Sequence, residues 1–244
     1  MATYLITGAS RGIGLSLVAL LASFPSSQVG KVFATARQDN SPKLREIIKQ
    51  HPGRIQFVKL DVTDNETLKQ ATAQVERDLH GKGLDILINN AGVMPWTPGG
   101  VTSMDDLGEV FNVNVTSVHN ITRAFLPLLR KGKTKKIVNI SGNYMHLLTP
   151  AYKITKAALN MLTMQYALEH GKDGFIFIAV SPGWLKTELG GEAADLPVEV
   201  GARATLNIVH NKTEKDNGKF FNIHVEGWEQ KEGPNQYNGA ELPW

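Results

Sequence analysis

Cysteine is absent from the 244 residues, and its absence excludes three classes of site. A chain without cysteine has no disulfide framework, no thiolate metal site and no cysteine nucleophile. Apolar runs as long as the roughly 20 residues of a membrane-spanning helix are also absent, so we expect no membrane association. The first apolar segment, Thr3–Thr7, already predicts a strand followed by a glycine turn. We therefore expect no signal peptide and a cytoplasmic location.

An excess of one charge sign is lacking as well, because 26 Lys and Arg stand against 23 Asp and Glu, a formal net charge of +3. So small an excess is weak support for a nucleic-acid partner, and we predict none. The seven histidines lack the spacing of metal ligands, so we predict no metal site. A content of 42% hydrophobic and 20% charged residues excludes a disordered chain. We predict one domain, residues 1–244, with a large core.

Short β-rich segments alternate with segments of helical periodicity along the chain. Several of the β-rich segments are nearly continuous apolar runs, which is typical of strands covered by helices on both faces. We predict an α/β fold, a doubly wound parallel sheet (Rossmann fold) with right-handed crossovers, in which ligands bind beyond the carboxyl ends of the strands. The predicted strands are Thr3–Thr7, Val32–Thr35, Ile55–Leu60, Leu84–Ile88, Lys136–Ile140, Phe175–Val180 and Lys219–Ile223; the predicted helices are Ile13–Ala22, Lys43–Gln50, Glu66–Leu79, Leu107–Leu129 and Tyr152–His170.

The first predicted strand ends in the sequence TGASRGIG, residues 7–14, which we call the glycine turn. Its glycines permit a tight turn and a close approach of the backbone to a pyrophosphate, and the following helix offers free N–H groups to the anion. The position between the first strand and the first helix is the context that a dinucleotide site requires. The glycine turn therefore predicts such a site; the alternative is a turn without a ligand.

Five further motifs follow the glycine turn: Asp61 in LDVTD, NNAG at residues 89–92, Asn114 in NVNV, the Tyr152–Lys156 pair, and Pro182-Gly183 followed by Thr187. Together with TGxxxGxG in the glycine turn, this ordered set resembles the short-chain dehydrogenases/reductases. The resemblance extends from Thr3 to about Ile223. It implies an oxidoreductase that transfers a hydride between a nicotinamide cofactor and a carbonyl or alcohol carbon.

The resemblance also implies a set of cofactor-binding residues. Asp61 would contact the adenine, with Val62 beside the ring; Asp61 could instead cap the next helix, although Asp64 is better placed to do so. NNAG could equally be only a strand-end turn. The complete set is Gly8, Ser10, Arg11, Gly12, Ile13, Gly14, Arg37, Asp61, Val62, Asn89, Ala91, Gly92, Tyr152, Lys156, Pro182, Gly183, Leu185 and Thr187.

The charge at the end of the second predicted strand bears on which cofactor is bound. NAD-dependent enzymes usually place an acidic residue there, whereas this strand ends in Thr35-Ala36-Arg37. Arg11, inside the glycine turn, and Arg37 could together bind a ribose 2′-phosphate through bidentate, charge-assisted hydrogen bonds. Each could equally be an ordinary surface arginine. We predict NADPH/NADP+ as the cofactor.

Tyr152 and Lys156 are four residues apart, so a helix projects both side chains from one face. A free phenol, with a pKa of about 10, is a poor acid at neutral pH, and a nearby ammonium lowers that pKa. The resemblance implies that Tyr152 donates the proton to the carbonyl oxygen and that Lys156 holds the nicotinamide ribose. It further implies that Asn114 fixes a water that connects Lys156 to solvent. Tyr152 could alternatively be an aromatic residue packed on the sheet.

The serine of the reaction centre is where this chain departs from the family. Members usually carry Ser-Ser at the end of the fifth strand, and the second serine polarises the substrate carbonyl. Here Ser141 is followed by Gly142, and the next loop is short. Ser141 is the best remaining candidate, although it could be only a strand-end hydroxyl, and Asn143, Tyr144 or His146 could supply the polar contact instead.

Two functions therefore stay open at the level of the sequence. The first is an NADPH-dependent carbonyl reductase or alcohol dehydrogenase, which the Tyr152–Lys156 pair favours. The second is a catalytically weakened or repurposed relative, either a regulatory NADPH binder or a non-redox dehydration or cyclisation enzyme, which Gly142 and the short loop favour. Fold analogy alone does not separate the two.

The substrate side of the site is predicted from residues 184–200, where mixed composition interrupts the alternation of strands and helices. Gly190, Gly191 and Pro197 bracket most of this segment and predict a mobile substrate lid. Bulky side chains could line the pocket, which favours a small apolar or aromatic substrate, although each could equally be packing. These side chains are Met94, Trp96, Tyr144, His146 and Trp184.

Oligomerisation is predicted from the two long helical segments, Leu107–Leu129 and Tyr152–His170. Members of the family commonly pair through the helices before and after the fifth strand. The second segment carries more apolar residues than one buried stripe needs, so we predict a homodimer or homotetramer. The C-terminal tail, residues 226–244, could block or reshape a second interface.

Overall fold

The computed structural model describes residues 1–142 and 148–244, and in that part of the chain one eight-stranded sheet forms the centre of the molecule. The strands are β1 (Ala2–Ile6), β2 (Val29–Ala36), β3 (Ile55–Lys59), β4 (Ile86–Asn89), β5 (Lys136–Ile140), β6 (Ile176–Ser181), β7 (Phe220–Asn222) and β8 (Glu241–Leu242). Their spatial order is β3-β2-β1-β4-β5-β6-β7-β8. The pairings from β3 to β7 are parallel, and β8 is antiparallel to β7.

Helices connect the parallel strands and cover both faces of the sheet. They are α1 (Gly12–Ser23), α2 (Pro42–Gln50), α3 (Asn65–Asp78), α4 (Leu107–Phe111), α5 (Ser117–Arg130), α6 (Pro150–His170) and α7 (Val198–Asn211). A π-helical turn, Asn112–Thr116, joins α4 to α5, and short 3-10 turns lie at Val101–Ser103, Gly171–Asp173 and Glu214–Asp216. No helix in the described ranges is long and apolar enough to cross a bilayer.

The core has two parts because neighbouring residues of a buried strand point to opposite faces of the sheet. In β1, Tyr4 and Ile6 pack on one face with residues of α1 and α7, such as Leu17 and Leu206. Leu5 packs on the other face with residues of α3 and α5. The apolar strands are therefore buried on both faces, as expected of a parallel sheet covered by helices.

The predicted doubly wound parallel sheet is confirmed. The predicted strands overlap β1 to β7, and the predicted helices overlap α1 to α3, the run from α4 to α5, and α6. The strand order reverses between β1 and β4, so the crevice at the carboxyl ends of these two strands is the place where such folds bind ligands.

The sequence pattern misses α7 and β8. The helix α7 follows a loop of mixed composition, yet its buried residues Ala202, Leu206 and Val209 are spaced as on one helix face. A parallel crossover from β6 to β7 also requires a long connection, usually a helix. For β8, two residues are too few to give a periodic signal.

Candidate active site

The glycine turn lies at the crevice between β1 and β4, and its glycines are required by its geometry. Gly8 and Gly12 have φ angles of +67° and +55°, a backbone region that L-residues with side chains rarely adopt. A Cβ on Gly8 would lie 2.9 Å from the Cα of Ala91. A side chain on Gly14 would collide with the carbonyl oxygen of Gly8. The turn is therefore packed directly against the residues that follow β4.

Asn90, which is not in the predicted set, fastens the glycine turn to the end of β4. Its side-chain Nδ2 donates to the carbonyl oxygens of Thr7 and Gly8 at 2.8 and 3.1 Å. The Thr7 hydroxyl accepts in return from the backbone N–H groups of Asn90 and Ala91, at 2.9 and 3.0 Å. The signal for this role was present in NNAG, whose second asparagine follows β4 directly.

Asn89, by contrast, is turned into the molecule. Its side chain is 2% exposed, and Nδ2 donates to Asn139 Oδ1 at 2.8 Å and to Thr122 Oγ1 at 3.2 Å. The Asn89 side-chain amide is thus engaged between β4, β5 and α5. Cofactor binding by Asn89, which the resemblance implies, stays a prediction, and with this orientation of the side chain it would involve the backbone.

Two arginines bear on the predicted cofactor site, one within the glycine turn and one directly after β2. Arg11 is the N-cap residue of α1, and its guanidinium lies 3.3 Å from the carboxylate of Glu188, with both side chains mostly exposed. Arg37 is the exposed residue after β2. Ser10 and Ile13, also in the predicted set, belong to the same turn and to the first residues of α1.

Asp61 follows β3, and its carboxylate is held by Thr63. Its Oδ1 accepts from the Thr63 backbone N–H at 3.0 Å and from the Thr63 hydroxyl at 2.8 Å. These bonds, with a smaller contribution from the charge of Arg37, lower the pKa of Asp61. Asp64 caps α3 through the backbone N–H groups of Glu66 and Thr67, so the capping alternative does not apply to Asp61. Val62 packs on the core beneath.

Tyr152 and Lys156 lie on the first turns of α6, with 6% and 5% of their surfaces exposed. The Lys156 Nζ lies 5.2 Å from the centre of the Tyr152 ring and donates to the carbonyl oxygen of Ile140 at 2.7 Å. Burial lowers the pKa of Lys156 to about 8. The ammonium is thus positioned by the end of β5 beside the phenol, as the proposed chemistry of the pair requires.

Asn114 lies on the π-helical turn and is 1% exposed. Its amide exchanges two 2.9 Å hydrogen bonds with the backbone of Val93 and donates to Thr155 Oγ1 at 3.0 Å. A Cβ on Gly92 would lie 3.1 Å from Asn114 Oδ1 and 3.9 Å from Lys156 Nζ. Gly92, Asn114 and Lys156 therefore converge, while a water held by Asn114 stays a prediction.

Ser141 directs its hydroxyl into the core. It is 0% exposed and donates to Asn160 Oδ1 at 2.6 Å. Asn139 and Ser141 are two residues apart, so their side chains lie on the same face of the sheet. Both bond to α6, since Asn139 Nδ2 donates to Thr163 Oγ1 at 2.8 Å. The sequence pattern did not identify Asn160 as the partner of Ser141, although Asn160 lies on the same face of α6 as Tyr152 and Lys156. Three other candidates, Asn143, Tyr144 and His146, lie outside the described residues.

The segment after β6 forms a loop, residues 184–196, which we call the lid loop. Pro182 is buried and Gly183 has a φ angle of +84° at its start. Leu185 pairs with Leu196 in an isolated parallel bridge that closes the base of the loop. Thr187 approaches the glycine turn, since a Cβ on Gly12 would lie 3.6 Å from Thr187 Cγ2.

Two bulky side chains, one from the lid loop and one from the segment after β4, pack against Tyr152. These are Trp184 and Met94, both partly buried, whereas Trp96 is 58% exposed. Within the described ranges, no group of three or more His, Asp or Glu is placed to hold a metal ion. The Tyr152–Lys156 pair, the apolar side chains beside it and the glycine turn thus lie at the carboxyl ends of the strands.

Comparison with known proteins gives the family of the chain. The short chain dehydrogenase family matches residues 2–196. The chain is 34% identical to the short-chain dehydrogenase/reductase AacuF of Aspergillus aculeatus over 265 residues, covering 92% of this chain and 98% of that protein.

Two solved structures extend this likeness. The NADPH-bound carbonyl reductase from chicken fatty liver superposes with a TM-score of 0.83 and 32% identity, covering 91% of this chain and 95% of that one. The carbonyl reductase Sniffer of D. melanogaster superposes with a TM-score of 0.87 and 27% identity over all of both chains. The chain is therefore an oxidoreductase of the short-chain dehydrogenase/reductase family.

Proposed function

We propose that the protein is an NADPH-dependent carbonyl reductase or alcohol dehydrogenase acting on a small apolar or aromatic substrate. The observation that carries the proposal is the buried Tyr152–Lys156 pair at the carboxyl edge of the sheet, with the glycine turn nearby. Two of the solved relatives are carbonyl reductases, and one of them is described with NADPH bound, which supports both the reaction and the cofactor.

Each residue of the pair has a separate task in the proposed reaction. The cofactor, when bound, supplies the hydride that the carbonyl carbon accepts. Tyr152 donates its phenolic proton to the carbonyl oxygen, so that an alcohol forms and a phenolate remains. The Lys156 ammonium stabilises that phenolate. Trp184 and Met94 pack beside Tyr152 and would exclude water from an apolar substrate.

The cofactor preference rests on charge. The last residue of β2 is Ala36, where an NAD-dependent enzyme usually needs an acid close by, and the next residue is the exposed Arg37. Arg11 lies at the start of α1, and its present partner Glu188 is exposed. Because an exposed ion pair is weak, a ribose 2′-phosphate can displace Glu188 from the Arg11 guanidinium.

A second candidate function is a weakened or repurposed relative that binds NADPH. The observation that favours it is Ser141, whose hydroxyl is bonded to Asn160, with Gly142 in the place of the second serine. If neither Ser141 nor residue 142 donates to the substrate, the substrate carbonyl lacks one of the hydrogen-bond donors that polarise it.

The experiment that separates the two is NADPH oxidation measured against a panel of ketones and aldehydes, with Tyr152→Phe as the matched variant. We expect turnover by the wild type and a loss of about 10²–10⁴-fold in kcat for the variant, since only the proton donor is removed. The dissociation constants of the wild type and of Tyr152→Phe for NADPH should differ by less than about twofold. Tight NADPH binding without turnover of any carbonyl would contradict the reductase and favour the second candidate.

A further inference from the structure

The tail, residues 226–244, folds back along β7 and reaches the neighbourhood of β6. The Asn222 N–H donates to Ala240 O at 2.9 Å, and the Gly239 N–H donates to Ile223 O at 3.0 Å. The Val225 N–H donates to Tyr237 O at 2.9 Å. This return brings Tyr237 beside the first residues of the lid loop. The short chain dehydrogenase match ends at residue 196, so the tail lies beyond it.

Tyr237 contacts both ends of the lid loop with one hydroxyl. The side chain is 3% exposed. Its hydroxyl donates to Asp195 Oδ2 at 2.6 Å and accepts from the backbone N–H of Trp184 at 3.0 Å. Asn235 Nδ2 donates to the same Asp195 oxygen at 2.7 Å. The ring lies against Gly183, where an added Cβ would be 3.3 Å from Tyr237 Cε1.

These contacts at the base of the lid loop position Trp184, the side chain that the loop places beside Tyr152. The N–H groups of Asp195 and Leu196 both donate to Trp184 O at 3.1 Å. The Trp184 side chain packs against Tyr152, and its Nε1 donates to Gly190 O at 2.8 Å. A shift at Asp195 or Trp184 would therefore be transmitted to the wall beside the proposed proton donor.

We propose that Tyr237 is a positioning residue, through which the tail holds the lid loop against the cofactor and substrate side of the site. The proposal rests on the proposed function, since that function places the substrate beside Tyr152 and Trp184. Without the hydroxyl, the Trp184 N–H loses this acceptor, and Asp195 Oδ2 loses one of the two hydrogen bonds described above. The loop then opens more often, so binding weakens while the chemical groups themselves stay in place.

The test is hydrogen exchange of residues 184–196 in Tyr237→Phe, which removes the hydroxyl and keeps the ring. We expect exchange of these amides to accelerate about three- to tenfold, as the loss of one or two hydrogen bonds predicts. The KM for NADPH should rise by a similar factor, and kcat should change less than about twofold. Exchange at wild-type rates in Tyr237→Phe would overturn the proposal.

Tyr4→Phe is the matched control, because Tyr4 is also 3% exposed and its hydroxyl is bonded to His210 Nε2 at 3.1 Å. Tyr4 lies in the body of β1 on the α1 and α7 side, so its variant should leave exchange of the lid loop and both kinetic constants unchanged. Equal acceleration of the lid loop in both variants would show general destabilisation and overturn the proposal.

Asp195→Ala, at a partly exposed position, removes the same link if Tyr237→Phe does not fold, and the same acceleration is expected. Exchange is measured without substrate, so its outcome is independent of turnover. A wild type that reduces no carbonyl would contradict the proposed function, whereas unchanged exchange in the variants would contradict only the role of Tyr237.

Discussion

Arg37 is the residue on which cofactor choice depends most directly. A charge-assisted hydrogen bond is worth about 1.5–3 kcal/mol, so Arg37→Ala should weaken NADPH binding roughly ten- to hundredfold. NADH lacks the 2′-phosphate, and its affinity should hardly change. Fluorescence titration of both cofactors measures the difference. Arg45→Ala is a suitable control, since Arg45 of α2 is exposed and pairs with Asp39, which precedes the helix. An equal loss for NADPH and NADH would contradict the assignment.

Variants of Ser141 and Gly142 test how the substrate carbonyl is polarised in the proposed reaction. The buried Ser141 hydroxyl donates to Asn160 Oδ1. Ser141→Ala removes this donor and should therefore lower the free energy of unfolding by about 1–3 kcal/mol. Its kcat should fall less than about tenfold, well short of the 10²-fold loss of an oxyanion donor. Gly142→Ser should then raise kcat. Denaturant unfolding and steady-state kinetics on both variants test this, and a 10²-fold loss in Ser141→Ala would restore Ser141 as the polarising group.

With Lys156 in its proposed role, we expect the reaction to depend on pH. Burial lowers its pKa to about 8 from the ordinary 10.5, so folding costs free energy while the lysine is charged. This cost is complete below pH 8 and disappears as the pH rises to 10.5, where stability from this group is greatest. Activity has the opposite dependence, because the ammonium is needed. The kcat/KM for NADPH should fall about tenfold per pH unit above the free-enzyme pKa.

A pH profile of kcat/KM checks this expectation, and a second buried lysine provides the control. Lys136 is 3% exposed and donates to the carbonyl oxygens of Val209 and Lys212 near the end of α7. Lys136→Met should lower Tm and leave the pH at which activity falls unchanged. A wild-type profile that stays flat to about pH 10 would exclude Lys156 as the titrating group.

At the scale of elements, α6 carries an apolar stripe on its exposed side. Ile154, Met161 and Leu168 are 42%, 52% and 68% exposed, and residues seven apart lie on one helix face. We propose that this stripe forms the interface of a homodimer. Met161→Glu would place a charge at its centre, and sedimentation should then show a monomer where the wild type is dimeric. Ala73→Glu, on the exposed side of α3, should leave the dimer intact; a wild type that is monomeric at all concentrations would contradict the interface.

The elements also differ in how far the sequence predicts them. Strands such as β6 contain a continuous apolar run, Ile176–Val180, and helices such as α3 begin at a capping residue, Asp64. Both signals are local and readable. The helix α7 follows a loop that has no period, and β8 exists only because the tail returns to β7. Elements of this second kind depend on contacts with distant residues.

Across the whole molecule, the parallel sheet and the order of its motifs follow from patterns that are local in the sequence. Alternating apolar runs and amphipathic segments leave few other ways to bury both faces of the strands. The sequence likewise predicts the glycine turn and the Tyr152–Lys156 pair, because each motif consists of residues close together in the chain.

The direction and the partners of the side chains at the strand ends depend instead on contacts between distant segments. Asn89 faces inward to Asn139 while Asn90 holds the glycine turn, although the two are neighbours in sequence. The Ser141 hydroxyl bonds to Asn160, and Tyr237 bonds to Asp195, 42 residues earlier. Periodicity is a property of neighbouring residues, whereas these bonds require segments that meet only after the sheet has formed, and so no local pattern encodes them.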